Sequence, residues 1–343
     1  MTADRLRAAA WLGVIALLGL TVGCGGPSPT SWAVPVCTHR SLVGLVTDAE
    51  GLARGGRNAE SWAGLQRAER DRSLCLRASL IESHQAADYQ ANLESLSGLG
   101  ATLVIGSSPA LGPAAAAVAK ANPKTRYAVV GYASNGTIPN LYGVTFAADQ
   151  AAFLAGAVAG LYTKANSVGG VYGPAEAPTT GYRSAYERGA RYVNSTVTIY
   201  GVFQPPGPGF DDPPFGQARG EEVIAQGADV IFSAGRGTGS GALSAAAAHQ
   251  KTCIGFEVDE YLVLPPARSC LLTSAIFEYS AGTETLIRMA LSKTLKGPNV
   301  VLDAANGGIG LAPFHEFERR AGSDLRKRIG DFQRQLASGR IQP

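Results

Sequence analysis

Short runs of β-branched and aliphatic residues alternate with Ala-rich stretches along most of this 343-residue chain. The apolar clusters at 41–47, 75–82, 101–106 and 126–130 have strand length and are bounded by turn residues, so they read as strands. Helical spacing fills the gaps at 58–70, 86–98 and 110–121. A further strand at 141–145 precedes a helix over 149–162, after which the rhythm restarts. It gives strands at 167–172, 196–202, 228–233, 252–258 and 270–276, with helices at 178–193, 216–226 and 240–249. Such alternation predicts an α/β chain with doubly wound parallel sheets. Near the end, Leu325, Ile329, Phe332 and Leu336 fall at helical spacing beside Arg326-Lys327-Arg328, which predicts an amphipathic closing helix with a solvated basic face.

The first residues break this rhythm. Arg5 and Arg7 precede an apolar run over 8–20, and Leu20-Thr21-Val22-Gly23 leads into Cys24, followed by Gly25-Gly26-Pro27-Ser28-Pro29. A basic start, an apolar core and small residues before a cysteine are the layout of a lipoprotein export signal. The pattern prefers Leu where Thr21 stands. The run is too short for a permanent span of a bilayer about 30 Å thick. We therefore expect a signal peptide at 1–23, a lipidated Cys24 and a flexible linker to 36. The chain would then meet the membrane through its lipid alone, on the extracytoplasmic side.

Without Arg5, Arg7 and Asp4, 28 basic residues face 26 acidic ones, a balance that gives no footprint for nucleic acid. Cys37, Cys75, Cys253 and Cys270 each stand at the entrance of a strand run. Starts of neighbouring parallel strands lie side by side, within reach of a disulfide, so Cys37 pairs with Cys75 and Cys253 with Cys270 in an oxidising compartment. Four reduced, buried cysteines are the alternative. No CxxC occurs, and His39, His84, His249 and His315 lack ligand spacing, so neither metal nor cofactor is expected.

Ligands of open α/β sheets sit beyond the carboxyl ends of the strands. There the chain places Thr47-Asp48-Ala49-Glu50-Gly51, Gly106-Ser107-Ser108, the glycine run after Ala234 and Glu257-Val258-Asp259. Asp48 fits either a turn cap or a ligand contact. Gly235 and Gly237 fit either a tight strand-to-helix turn or a close backbone approach to a ligand. Glu257 and Asp259 are acceptors suited to a partner rich in hydroxyls. Phe210, in the Pro/Gly-rich stretch 204–214, fits either ring stacking or local packing.

Several strings, in this order, resemble the basic membrane protein family of bacterial lipoproteins, substrate-binding components of ABC importers that include purine nucleoside receptors. They are Val46-Thr47-Asp48 with Asn58 and Trp62-Ala63-Gly64-Leu65; Ala152-Phe153-Leu154-Ala155-Gly156; Gly189-Ala190-Arg191-Tyr192-Val193-Asn194; and Phe210-Asp211-Asp212-Pro213. Gln226 to Phe232 with the following glycines, Asn306 to Leu311 and Ser338 to Pro343 continue the series. The resemblance implies a type I periplasmic-binding-protein fold with a hinged cleft. Lobe 1 would comprise 37–147 and 275–312, and lobe 2 148–274 and 313–343, with hinge crossings near 146–148 and 274–277. It implies a monomer that hands a nucleoside, or a similar small polar ligand, to an ABC permease, with Phe210 as one wall for the base and Asp48 and Glu257 as carboxylates for the ribose. Asn58 and Ser107 complete the first-lobe side, and Gly235, Gly237 and Asp259 the second.

Two positions depart from the family pattern. Arg57 stands where an aromatic wall is usual, and a guanidinium either stacks on a base or pairs with an anion. Phe277 stands in place of a lysine. A surface-tethered sensor or interaction lipoprotein of the same fold fits the same residues. A nicotinamide-dependent dehydrogenase fits poorly, because Ser240 stands where its glycine fingerprint needs glycine. No G-x-S-x-G elbow points to a hydrolase, and no catalytic group is identified.

Overall fold

The computed structural model describes residues 37–207 and 210–343; the signal, Cys24 and the linker lie outside the described residues. The first half runs β1 (Ser41–Val46), α1 (Arg57–Arg70), β2 (Leu76–Ile81), α2 (Tyr89–Gly98), β3 (Leu103–Gly106), α3 (Gly112–Ala121), β4 (Arg126–Val130) and β5 (Leu141–Phe146). The second runs α4 (Ala148–Tyr162), β6 (Ser167–Pro174), α5 (Thr179–Val193), β7 (Thr198–Gln204), α6 (Pro213–Ala225), β8 (Val230–Ala234), α7 (Arg236–Ala248), β9 (Thr252–Glu257), α8 (Glu260–Val263) and β10 (Leu271–Phe277). The chain ends with α9 (Tyr279–Leu291), β11 (Asn299–Leu302), β12 (Ile309–Leu311) and α10 (Glu318–Ala337).

These strands form two six-stranded sheets, ordered β11-β5-β4-β3-β1-β2 and β12-β10-β9-β8-β6-β7. All pairings between these strands are parallel except β10 with β12. This is the type I periplasmic-binding-protein fold. The stretch 275–312 contributes to both sheets: β11 extends the first beyond β5, while β12 pairs with β10 in the second. Leu325, Ile329 and Leu336 of α10 enter the core built around α4 and the second sheet.

Both disulfides join strand starts, with Cα atoms 5.4 Å apart for Cys37–Cys75 and 5.1 Å for Cys253–Cys270. The first leads into β1 and β2, which pair from Ser41 with Leu76 onward; the second leads into β9 and β10.

The glycine run after Ala234 is not a turn. Only Gly235 precedes α7, and Gly237, Gly239 and Gly241 lie within its first two turns. A Cβ on Gly241 would fall well under 3.0 Å from the Pro213 carbonyl oxygen, and one on Gly216 equally close to that of Thr238. The glycines let α6 and α7 touch backbone to backbone. The same solution recurs between α4 and α5, where Gly156 lies against the Tyr186 carbonyl and Gly189 against that of Phe153. Helix α6 also begins earlier than its apolar pattern suggests, because Asp212 accepts from the Phe215 N–H at 3.0 Å and Pro213 supplies the first helical residue.

Candidate functional site

The carboxyl ends of the strands in both sheets border one cavity of about 1060 Å³. Five of the residues singled out from sequence line it: Arg57, Phe210, Gly235, Glu257 and Phe277. Arg57 is the first residue of α1. Its Nη2 lies 3.7 Å from a Glu50 oxygen and 3.8 Å from Glu257 Oε1, and its Nε is buried with no hydrogen-bond partner among the described residues. Burial disfavours the charged guanidinium, but the carboxylates of Glu257 and Glu50, with Tyr279 and Asp48, more than offset this and keep it charged.

Glu257 ends β9 with φ at 77°, a left-handed conformation uncommon for a non-glycine residue. Its Oε1 accepts from the Tyr279 hydroxyl at 2.8 Å. Burial, then the Glu257 charge, drive the Tyr279 pKa well above the usual phenol range, so this hydroxyl stays a donor at neutral pH. Phe210 turns its Cδ1–Cε1 edge to Gly173 near the end of β6, where a Cβ would fall well under 3.0 Å from both atoms. Phe277 stacks on Phe146, with centroids 4.8 Å apart and planes within 7°. Tyr279 meets Phe146 edge-on at 5.0 Å, Phe256 meets Phe277 edge-on at 5.5 Å, and Tyr182 packs on Phe256 at 5.0 Å. The cavity thus has an aromatic floor where the chain passes between the sheets.

Asp48, Asn58 and Ser107 lie outside the lining and are bonded to one another beneath it. Asn58 Nδ2 donates to Asp48 Oδ1 at 2.7 Å and to the Gly51 carbonyl at 2.8 Å, and Ser107 Oγ donates to Asn58 Oδ1. Burial raises the Asp48 carboxyl, but hydrogen bonds from Asn58, Ser108 and the Glu50 N–H, with the Arg57 charge, outweigh it and hold the group below the usual range. This network pins the β1–α1 loop and so places Glu50 and Arg57. Gly237 is also outside the lining, because it accommodates Asp211 against α7. Asp259 turns away: it caps α8 through the Tyr261 N–H at 3.2 Å and binds His315 Nε2 at 2.8 Å.

Sequence reasoning did not single out Phe146, Tyr182, Phe256, Glu260 and Tyr279, all of which border the cavity. Phe146 and Phe256 sit at strand carboxyl ends, where the rule for open sheets would have found them. Glu260 sits on α8, a single turn with no periodic signature. Its N–H donates to Ser274 Oγ at 3.1 Å, and the residue lines the cavity. Burial first, and the neighbouring Glu257 and Asp259 charges next, push it up to about 8. A carboxyl whose folded pKa is raised binds more protons in the folded than in the unfolded state, so its contribution falls as pH rises from about 4.5 to about 8. Glu260→Gln should therefore melt with wild type at pH 4.5 and be the more stable above pH 8, by on the order of a few kcal/mol. Thermal melts across that range check this.

Residues 42–331 match the family model described as ABC transporter substrate-binding protein PnrA-like. The chain belongs to that family. Among its relatives, the ABC transporter nucleoside-binding protein BmpA of Lactococcus lactis is 29% identical over 236 residues, 68% of this chain. That match spans 66% of the relative's own length, just under two thirds. Among solved structures, a solute-binding protein of an ABC transporter system from Conexibacter woesei has a TM-score of 0.71 at 20% identity, over 88% of this chain and 98% of that one. A transcriptional activator of the comK gene from Bacillus halodurans has a TM-score of 0.73 at 17% identity, over 88% and 100%. At such identities these two likenesses establish the fold alone. The cavity of this PnrA-like chain lies between its two sheets, at the strand ends where the fold holds its ligands.

Proposed function

We propose that this PnrA-like chain captures a nucleoside between its two sheets, without chemistry, and delivers it to an ABC permease. The observation that carries the reading is the pairing, in one cavity, of aromatic surface from Phe210 and the Phe277 floor with the carboxylate of Glu257. A nucleoside has the matching halves, a flat base and a ribose rich in hydroxyl donors. Phe210 and Arg57 grip the base, and Glu257 accepts from the ribose hydroxyls. Gly235 admits the ligand close to the backbone, while Asp48, Asn58 and Ser107 hold Arg57 in place. Gly237 and Asp259 hold α7 and α8. Because Arg57 already lies between two carboxylates, its charge is offset and the site suits a neutral base better than an anion.

Ligand contact with both sheets stabilises one arrangement of the hinge by its differential affinity, and the permease reads that arrangement. Lobe 1 (37–147 and 275–312, apart from β12, which pairs in the second sheet) and lobe 2 (148–274 and 313–343) move about crossings near 146–148 and 274–277. The protein works as a monomer held at the extracytoplasmic face by lipid on Cys24, after removal of 1–23.

Thermal unfolding against nucleosides, nucleobases, sugars and small anions tests this. A nucleoside at a hundredfold excess over its dissociation constant should add about 2.7 kcal/mol of stability, and Phe210→Ala should abolish the shift. A shift with anions alone would assign Arg57 to anion pairing, and no shift with any compound would end the receptor reading.

A further inference from the structure

Four charged side chains alternate in sign across the mouth of the cavity. Glu257, at the end of β9 in the second sheet, faces Arg57 of the first-sheet side at 3.8 Å; Arg57 faces Glu50 at 3.7 Å; and Glu50 pairs through its other oxygen with Arg236, which opens α7 on the second-sheet side. The row therefore crosses between the two halves twice. Each Glu50 oxygen faces a different guanidinium, and each second-sheet member, Arg236 with φ at 49° and Glu257 with φ at 77°, holds a left-handed backbone that non-glycine residues seldom adopt. Such conformations persist only where the surroundings over-determine them.

We propose that Glu50 and Arg236 form a clasp that draws the two halves together over the cavity before a ligand arrives, and that Arg57 ties this clasp to Glu257. The two ends of the row differ in a way that makes the clasp releasable. The side chains of Glu50 and Arg236 are 51% and 55% exposed, whereas that of Arg57 is 10% exposed. Exposed pairs separate readily and are screened by salt, while buried ones are screened much less. Opening therefore begins at Glu50–Arg236, and the Arg57–Glu257 contact parts after it. Leu262 of α8 rests against Gly55 of the same first-sheet loop, which gives the closed arrangement an apolar contact that salt leaves intact. The clasp lowers the cost of closure that a ligand must supply. Removing it lowers apparent affinity by the factor through which the closed population falls.

The clasp belongs to the ligand-free chain, so its test is independent of which ligand the cavity takes. Amide hydrogen exchange of the purified full chain, without ligand, is followed in peptides covering 48–57 and 233–240 at low and high sodium chloride. In wild type, exchange of both segments should quicken about two- to fivefold as salt rises. Arg236→Gln and, from the other side, Glu50→Gln should show the fast exchange already at low salt and little further change, while Arg236→Lys keeps the wild-type response. Melting midpoints within a degree or two of wild type establish that the variants are folded. Wild-type exchange at low salt in both glutamine variants, or a wild type indifferent to salt, would overturn the clasp.

Discussion

Replacing Glu257 with alanine is expected to weaken nucleoside binding by about 100-fold and to destabilise the ligand-free chain by about 2 kcal/mol. The affinity term is a charge-assisted hydrogen bond to a ribose hydroxyl, about 1.5–3 kcal/mol. The stability term has a different origin. Arg57 would keep its buried charge with Glu50 as its remaining close carboxylate, and the Tyr279 hydroxyl would lose its acceptor. Breaking a fully buried pair costs about 3–5 kcal/mol; here Glu257 is partly open to the cavity and the contact is 3.8 Å, so a smaller cost is expected. Glu257→Gly separates the two terms, because glycine adopts the left-handed backbone freely and recovers part of the stability without restoring affinity. Calorimetric titration and denaturant melts on the two variants give both quantities.

Gly156→Val should be among the most damaging single changes in the helices, costing about 3 kcal/mol or more and lowering the yield of folded protein. A Cβ there would fall well under 3.0 Å from the Tyr186 carbonyl and under 3.0 Å from the Ala190 nitrogen. These are backbone atoms with no rotamer to give, so α4 and α5 must separate and open the core around Phe153 and Tyr186. Gly98→Ala at the end of α2, where a Cβ meets nothing within 4 Å, should stay within about 1 kcal/mol of wild type. Urea melts of the pair provide the contrast.

These glycines also explain how the family strings could be read from sequence. Gly156 belongs to the Ala152–Gly156 string and Gly189 to the Gly189–Asn194 string, and in the fold they form the two halves of one helix contact. Those motifs mark packing, and their positions reveal the fold more directly than the ligand. Strands β1 to β10 were legible because each is a short apolar run between turns. Helix α9 was not: where it packs on Gly64 of α1 it buries Ser280 and Thr283, whose small size permits the approach and erases the apolar period. Strands β11 and β12 lie in a stretch of turn residues, Gly297-Pro298 before the first and Asn306-Gly307-Gly308 before the second, which hides their short apolar runs.

The candidate site divides along similar lines. Position at a strand end singled out Asp48, Ser107, Gly235 and Glu257 alike, but it does not say which polar group faces the cavity and which is turned beneath it. Hydrogen bonding decides that, and Asp48, Asn58 and Ser107 satisfy one another. Arg57 and Phe277 stood out as departures from the family pattern, and both line the cavity. The floor residue Tyr279 follows the last recognised strand and became meaningful only once Phe277 was seen stacked on Phe146.

The most direct measurement is a calorimetric titration of the ligand-free protein with a nucleoside, its 2′,3′-dideoxy analogue and the free base. If Glu257 holds the ribose and Phe210 the base, the nucleoside binds one to one, and loss of the hydroxyls weakens it at least tenfold. Equal binding of nucleoside and dideoxy analogue, or no heat with any of the three at millimolar concentration, would contradict the account.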